Sequence, residues 1–205
     1  SFPTRRSSDL YEKYFKIGAA TSPREFPSHG KLLKTHFNSL TPENQMKFGP
    51  LHPEKDVWNF EPADALVSFA HENGMVIRAH APVWHVGTNP WIFQRDDGSD
   101  VSREELLARL EEQFSTFALR YGDFVQYWDV VNEAIDDDPA GPVLRDTKWL
   151  RILGEDYLTT AFKLAKKLAP KVQLFYNDYD EWLPHKREKI CKLLQKLQDE
   201  GAPVE

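Results

Sequence analysis

Gln126-Tyr127-Trp128-Asp129-Val130-Val131-Asn132-Glu133-Ala134 is the stretch on which the fold turns. From Tyr127 to Val131 it is aromatic and β-branched around a single Asp, the composition of a strand buried in a sheet. The strand ends in an amide and a carboxylate, so polar chemistry stands where a buried element gives way to a loop. Upstream, Ser102-Arg103-Glu104-Glu105 fits a capping box, in which Ser and Glu satisfy the first free N–H groups reciprocally. Leu106, Leu110, Phe114, Phe117 and Tyr121 then recur every three or four residues, which predicts a helix. Downstream, Leu153, Tyr157, Ala161, Leu164 and Leu168 predict one helix over about 149–168, ended by Pro170. Val172-Gln173-Leu174-Phe175-Tyr176 follows as a strand. Two strands joined by a helical crossover point to a parallel sheet.

The same alternation extends outward. Phe15-Lys16-Ile17-Gly18-Ala19-Ala20, Phe37-Asn38-Ser39-Leu40 and Met75-Val76-Ile77-Arg78-Ala79 are three more strand candidates. A brief helix is expected over 31–36. Another starts at Glu61-Pro62, with Leu66, Phe69 and Ala70 on one side, and stops at Gly74. A last helix follows Pro184 and presents Ile190, Leu194 and Leu197. Strand starts near 15, 37, 75, 126 and 172 thus each lead into a helix, with no repeat, low-complexity tract or linker to divide them. No Gly-rich phosphate loop follows the first strand, which disfavours a dinucleotide-binding sheet. Short strands with long loops at their C-terminal ends favour a TIM (β/α)8 barrel. A full barrel needs about 250 residues, so 205 residues are expected to hold about five of the eight βα units, a truncated barrel. The expected organisation is a partial catalytic barrel over 11–205 behind a non-native or disordered leader at 1–10, SFPTRRSSDL.

Composition narrows the function classes. Lys plus Arg number 26 against 32 Asp plus Glu, a net charge of −6 with no basic stretch, which argues against nucleic-acid binding. The apolar runs are far shorter than the roughly 20 residues of a membrane-spanning helix. One cysteine, Cys191, excludes an intramolecular disulfide framework; it lies beside the apolar face of the last helix and reads as a packing residue. His80 and His85 match no common metal-ligand spacing, and Asp136-Asp137-Asp138 reads as a solvated loop rather than a calcium site. No metal or other cofactor is expected. The sequence specifies no oligomeric state.

In a TIM barrel the active site is built where strands hand over to their loops. Those places carry amides, carboxylates and imidazoles beside aromatic rings, the equipment for a polyhydroxylated substrate. Glu133, directly after a buried strand, is expected to be partly desolvated, which raises a carboxyl pKa and suits a general acid. Asn132 beside it can donate to a hydroxyl.

Four segments in order resemble glycoside hydrolase family 10, the endo-1,4-β-xylanase family: Thr41-Pro42-Glu43-Asn44-Gln45-Met46-Lys47, His80-Ala81-Pro82-Val83-Trp84-His85, Trp128-Asp129-Val130-Val131-Asn132-Glu133 and Tyr176-Asn177-Asp178-Tyr179. The resemblance runs over 11–205. It implies that Glu133 is the acid/base of a retaining mechanism and that Asn132 holds the 2-hydroxyl of the sugar under attack. It implies further that Glu43, Asn44 and Lys47 line the glycone side, and that His80 binds at the cleavage subsite. Trp84 would be part of that subsite's floor, with Tyr179 and Asn177 near the same cleft; His85 is expected to orient its neighbours. The implied partner is xylan or xylo-oligosaccharides, with no cofactor, and the parent is expected to be secreted although 1–10 carry no signal peptide.

The family's nucleophile is a Glu at the end of strand seven, so it is expected beyond Glu205, and the 205 residues alone are expected to be inactive. Asp178 and Glu181 match no family position for it. A five-stranded remnant would expose the edges of its first and last strands and is expected to aggregate or to be partly molten. Gly87 stands where the family commonly has Gln, which puts one sugar contact in doubt. A β-1,4-glucanase on the same barrel and a non-catalytic xylan-binding remnant are the competing readings.

Overall fold

A computed structural model describes residues 7–205. Of the leader expected at 1–10, residues 1–6 lie outside the described residues, and Ser7–Leu10 form a 3-10 turn. Five strands follow: β1 (Gly18–Thr21), β2 (Ser39–Pro42), β3 (Val76–Val83), β4 (Tyr127–Asn132) and β5 (Gln173–Asn177). They form one sheet in the order β1-β2-β3-β4-β5, and every neighbouring pair is parallel. The helices are α1 (Phe26–His36), α2 (Phe48–Leu51), α3 (Glu61–Glu72), α4 (Arg103–Tyr121), α5 (Lys148–Leu153), α6 (Tyr157–Leu168) and α7 (Pro184–Asp199). A doubly wound sheet reverses its strand order at a switch point. Here the order never reverses, so these are consecutive βα units of a TIM barrel.

The sequence places all five strands in order, but each lies later than its pattern suggests, β1 by three residues at its start. The ladder explains the offset: Gly18 is the first residue of β1 paired with β2. The single helix expected over 149–168 is two. Its apolar period runs on unbroken, but Gly154 takes φ +85° and ends α5, a backbone that residues with a Cβ rarely adopt.

The core that carries the site lies between the sheet and the outer helices. Trp128 of β4 is buried and stacks on Phe117 at 4.3 Å between centroids, with Phe114 at 5.0 Å, both on α4. The capping box of α4 forms as expected: Ser102 Oγ accepts from the Glu105 N–H, and Glu105 accepts from the Ser102 N–H. On α7 the inward positions are Lys186, Lys189, Leu193 and Leu197, with Ile190 partly buried, whereas Leu194 is 38% exposed. Cys191 is exposed as well, which corrects its reading as a packing residue. The inward face of this helix begins with two lysines, so a purely apolar template sets the face one residue off.

A second aromatic group, Phe48, His52, Trp91, Phe93 and Trp149, packs beneath the loops that follow β2 and β3. The two loops meet where the Gly49 N–H donates to the Gly87 carbonyl at 2.9 Å. A Cβ on Gly49 would stand 2.5 Å from that oxygen, so only glycine allows the approach. Among the described residues no helix is long and apolar enough to cross a membrane.

Candidate active site

Glu133 is the first residue after β4 and has φ +53°. A residue with a Cβ holds such a conformation only where its surroundings over-determine it. Its N–H donates to the Asn177 carbonyl at 2.9 Å, which continues the β4–β5 ladder by one bond. The side chain is half-buried, and both carboxylate oxygens accept: Oε2 from Trp84 Nε1 at 2.7 Å and Oε1 from Asn132 Nδ2 at 3.2 Å. Asn132 is buried, and its own Oδ1 accepts from Asn177 Nδ2 at 2.8 Å. The chain Asn177–Asn132–Glu133–Trp84 thus ties the ends of β3, β4 and β5 together. Trp84 is in turn held by its carbonyl, which accepts from Trp149 Nε1 at 2.9 Å and from the Thr88 hydroxyl at 2.8 Å.

Lys47 links this acid end to the loop after β2. Its ammonium donates to Asn44 Oδ1 at 2.8 Å and lies 4.6 Å from the centroid of the Trp84 ring. Partial burial lowers the Lys47 pKa, and the negative charges of Glu133 and Glu43 act against that lowering. The cation therefore senses both carboxylates. Glu43 and Asn44 are exposed; Glu43 is fixed through its N–H, which donates to the Thr21 carbonyl at 3.0 Å. Beside them a depression of about 720 Å³ is lined by Ser22, Arg24, Glu43, Asn44, Gln45 and Asn59 together with prolines such as Pro50. A Cβ at Gly87 would reach the Trp84 ring at 3.5 Å and Lys47 Cδ at 3.7 Å. A larger residue there would therefore stand against the Lys47–Trp84 pair.

His80 lies on β3 opposite Asp129 of β4. Its Nδ1 is 2.9 Å from Asp129 Oδ2, which leaves Nε2 as the nitrogen a ligand can use. Asp129 is buried and also meets Arg78: Nε donates to Oδ2 at 3.2 Å, and Nη2 lies 2.5 Å from Oδ1 without good hydrogen-bond geometry. The buried charge is thus matched by a guanidinium, as a charge taken out of water requires. A lone Asp inside an apolar strand is the signal that could have pointed to these partners from sequence.

Tyr179 does stand near the end of β5, but its hydroxyl is engaged: it donates to Asp137 Oδ2 and accepts from Arg145 Nη2 at 3.0 Å. The acidic run at 136–138 is not the simple solvated loop expected. Lys189 Nζ donates to the Asp136 and Asp138 carbonyls at 3.1 and 2.5 Å, and Asp137 meets Arg145, Tyr179 and Lys186. Burial would raise the Asp137 pKa, but hydrogen bonds from Lys186, Tyr179 and Arg145 hold it well below the usual carboxylate range. His85 is exposed beside this group, and partial burial of its ring together with the Arg145 charge lowers its pKa. Arg145, Tyr176 and Lys186 were not singled out from sequence, because each meets its partner only through the fold. Among the described residues no three His, Cys, Asp or Glu side chains stand together as a metal site.

Comparison with known proteins gives the family and the extent of the match. The family described as Glycosyl hydrolase family 10 matches residues 7–205. Endo-1,4-beta-xylanase B of Paenibacillus barcinonensis is 48% identical over 197 residues, covering 96% of this chain and 59% of the relative. Endo-1,4-beta-xylanase A of Caldicellulosiruptor saccharolyticus is 43% identical over 196 residues, covering 95% of this chain and 57% of the relative. The crystal structure of xylanase XynB from Paenibacillus barcinonensis with a conduramine derivative superposes with a TM-score of 0.94 at 47% identity, covering 100% of this chain and 61% of that one. A mutant structure in complex with xylotriose superposes with a TM-score of 0.93 at 44% identity, covering 98% and 61%. The chain therefore spans about three-fifths of the length of the relatives it matches.

Proposed function

The chain belongs to glycosyl hydrolase family 10, and from that premise we propose that residues 11–205 are the part of a retaining endo-1,4-β-xylanase that carries its acid/base, Glu133. The observation that supports this most is the Glu133 carboxylate, held by Trp84 and Asn132 at the ends of three strands and electrostatically coupled to Lys47. In this reading Glu133 protonates the leaving glycosidic oxygen and later takes a proton from the attacking water. Asn132 holds the 2-hydroxyl of the sugar under attack. Glu43, Asn44 and Lys47 hold the hydroxyls of the preceding xylose, with His80 and Trp84 at the cleavage subsite. Tyr179 stands near the same cleft.

A retaining mechanism needs a second carboxylate about 5–5.5 Å from the first. Asp178 is unsuited: its side chain is 3% exposed and already bonded to Tyr176 and Lys186. Neither it nor Glu181 matches the family position for a nucleophile. The nucleophile is therefore supplied from outside these residues, and the 205-residue chain alone does not hydrolyse xylan. The test compares initial rates on xylan and carboxymethylcellulose for the complete protein and for residues 7–205. Hydrolysis of xylan by the complete protein only, with little on carboxymethylcellulose, is the expected result. Preference for the glucan would replace the substrate, and turnover by residues 7–205 would refute the half-site.

A further inference from the structure

The Glu133–Ala134 peptide is gripped at both ends. Its carbonyl oxygen accepts from Arg145 Nε at 3.2 Å, and its N–H donates to the Tyr176 hydroxyl at 3.0 Å. Each grip is itself held. Arg145 Nη2 donates to Asp137 Oδ2 at 2.7 Å, and Tyr176 donates its hydroxyl proton to Asp178 Oδ2. Both carboxylates then meet on one cation: Lys186 Nζ lies 2.6 Å from Asp137 Oδ1 and 3.0 Å from Asp178 Oδ1. Two limbs therefore run from a single ammonium to opposite sides of the peptide that follows β4.

Lys186 is 1% exposed near the start of α7. A buried ammonium is tolerated only when its charge and its donors are matched. Two carboxylates and the Tyr179 ring, 4.2 Å away, surround it here. Burial works against the charged form, and the bonds to Asp137 and Asp178 overcome it, so the cation is retained. Arg145 completes a four-charge group of zero net charge, which explains why its members can lie this close to the interior. Nothing in the chemistry assigned above uses Lys186, and no sugar-facing role requires a lysine to be buried on an outer helix.

We propose that Lys186 is a positioning residue for proton transfer by Glu133. Through Asp178–Tyr176 and Asp137–Arg145 it fixes the plane of the Glu133–Ala134 peptide, and with it the left-handed backbone from which the carboxyl group projects. The proposal rests on Glu133 being the acid/base. A non-glycine residue in the φ > 0 region persists only where its surroundings over-determine it. Releasing either limb lets the peptide turn and carries the carboxyl group off the line to the leaving oxygen.

The experiment uses the complete protein and two aryl β-xylobiosides. A 2,4-dinitrophenolate leaves without protonation, whereas a phenolate needs the acid. The constant kcat/KM reports the step in which the leaving group departs, so the two substrates separate loss of acid catalysis from general damage. Lys186→Met is expected to lower kcat/KM on the phenyl substrate about ten-fold or more, with a change of about two-fold or less on the dinitrophenyl substrate. Lys186→Arg, which keeps the charge, is expected to recover part of the loss. Tyr176→Phe cuts one limb while keeping the ring, and carries the same comparison if Lys186→Met does not fold. An equal loss on both substrates in a folded variant would overturn the proposal and leave Lys186 a structural ion pair. Wild-type protein that cleaves neither substrate would instead overturn the xylanase reading.

Discussion

On the β2 side of the site Glu43 and Asn44 are exposed, and the Lys47 ammonium makes one hydrogen bond, to Asn44. On the β4–β5 side Asn132 is buried, Glu133 accepts at both carboxylate oxygens, and the peptide after it is held from two directions. Both groups project from the same end of one parallel sheet. A group that binds hydroxyls gains from being open, because its hydrogen bonds form only when the ligand arrives. A group that transfers a proton gains from being fixed in advance, because misplacement falls directly on the rate. The two sides differ in the way the proposed tasks require.

The largest expected effect breaks the fixed side. Glu133→Gln in the complete protein removes the proton and keeps the shape, so kcat/KM on xylan should fall by about 10²–10⁴-fold, while the amide nitrogen, which cannot accept from Trp84 or Asn132, costs only about 1 kcal/mol of stability. Steady-state kinetics beside a melting curve would check it, and near-normal turnover would remove Glu133 from the chemistry. Lys47→Ala breaks the open side. A lost hydrogen bond to a charged group is worth about 1.5–3 kcal/mol, so xylo-oligosaccharide binding should weaken about ten- to a hundred-fold, as read by calorimetry. Affinity within experimental error of the parent would show that the loop after β2 does not hold sugar.

Tyr179→Phe sharpens the boundary between the sides. Its hydroxyl is committed to Asp137 and Arg145, so its removal should cost about 1 kcal/mol of stability and change xylotriose affinity by less than about three-fold. A large loss of affinity with no change in stability would move Tyr179 to the sugar-binding side.

The smallest effect is on pH. The Asp137 pKa lies below its ordinary value of 3.8, so its contribution to stability is fully present above that value and is lost as pH falls through the depressed one. The carboxyl ¹³C shift of Asp137, followed from about pH 5 to pH 2, should therefore move only at the acid end. A midpoint at or above the ordinary value would mean that Lys186 and Arg145 do not hold it.

Much of the fold is legible in the sequence because strands, caps and breakers are local. Val130-Val131, the capping box at Ser102 and the break at Pro170 need no partner to be read. The split between α5 and α6 is not legible in the apolar period, because Leu153 and Tyr157 keep it across Gly154. At the site, amides and carboxylates at strand ends could be read by residue type alone. The network behind them could not. Lys186 and Asp137 lie 49 residues apart, and a lysine on an amphipathic helix reads as solvated until the fold brings carboxylates to it. Asp129 lies between these cases: a lone Asp in an apolar strand signals a buried partner, but only the fold shows that the partners are Arg78 and His80 of the neighbouring strand.

If Glu133 is the acid/base of a retaining site, its replacement with alanine in the complete protein leaves a defect that an external nucleophile can repair. The variant is then supplied with azide and 2,4-dinitrophenyl β-xylobioside. The activated leaving group lets the glycosyl-enzyme form without the acid, and azide, which needs no general base, takes the place of water in the second step. Azide is expected to accelerate turnover and to give the β-configured xylobiosyl azide. No acceleration, or an α-configured azide, would contradict that role for Glu133.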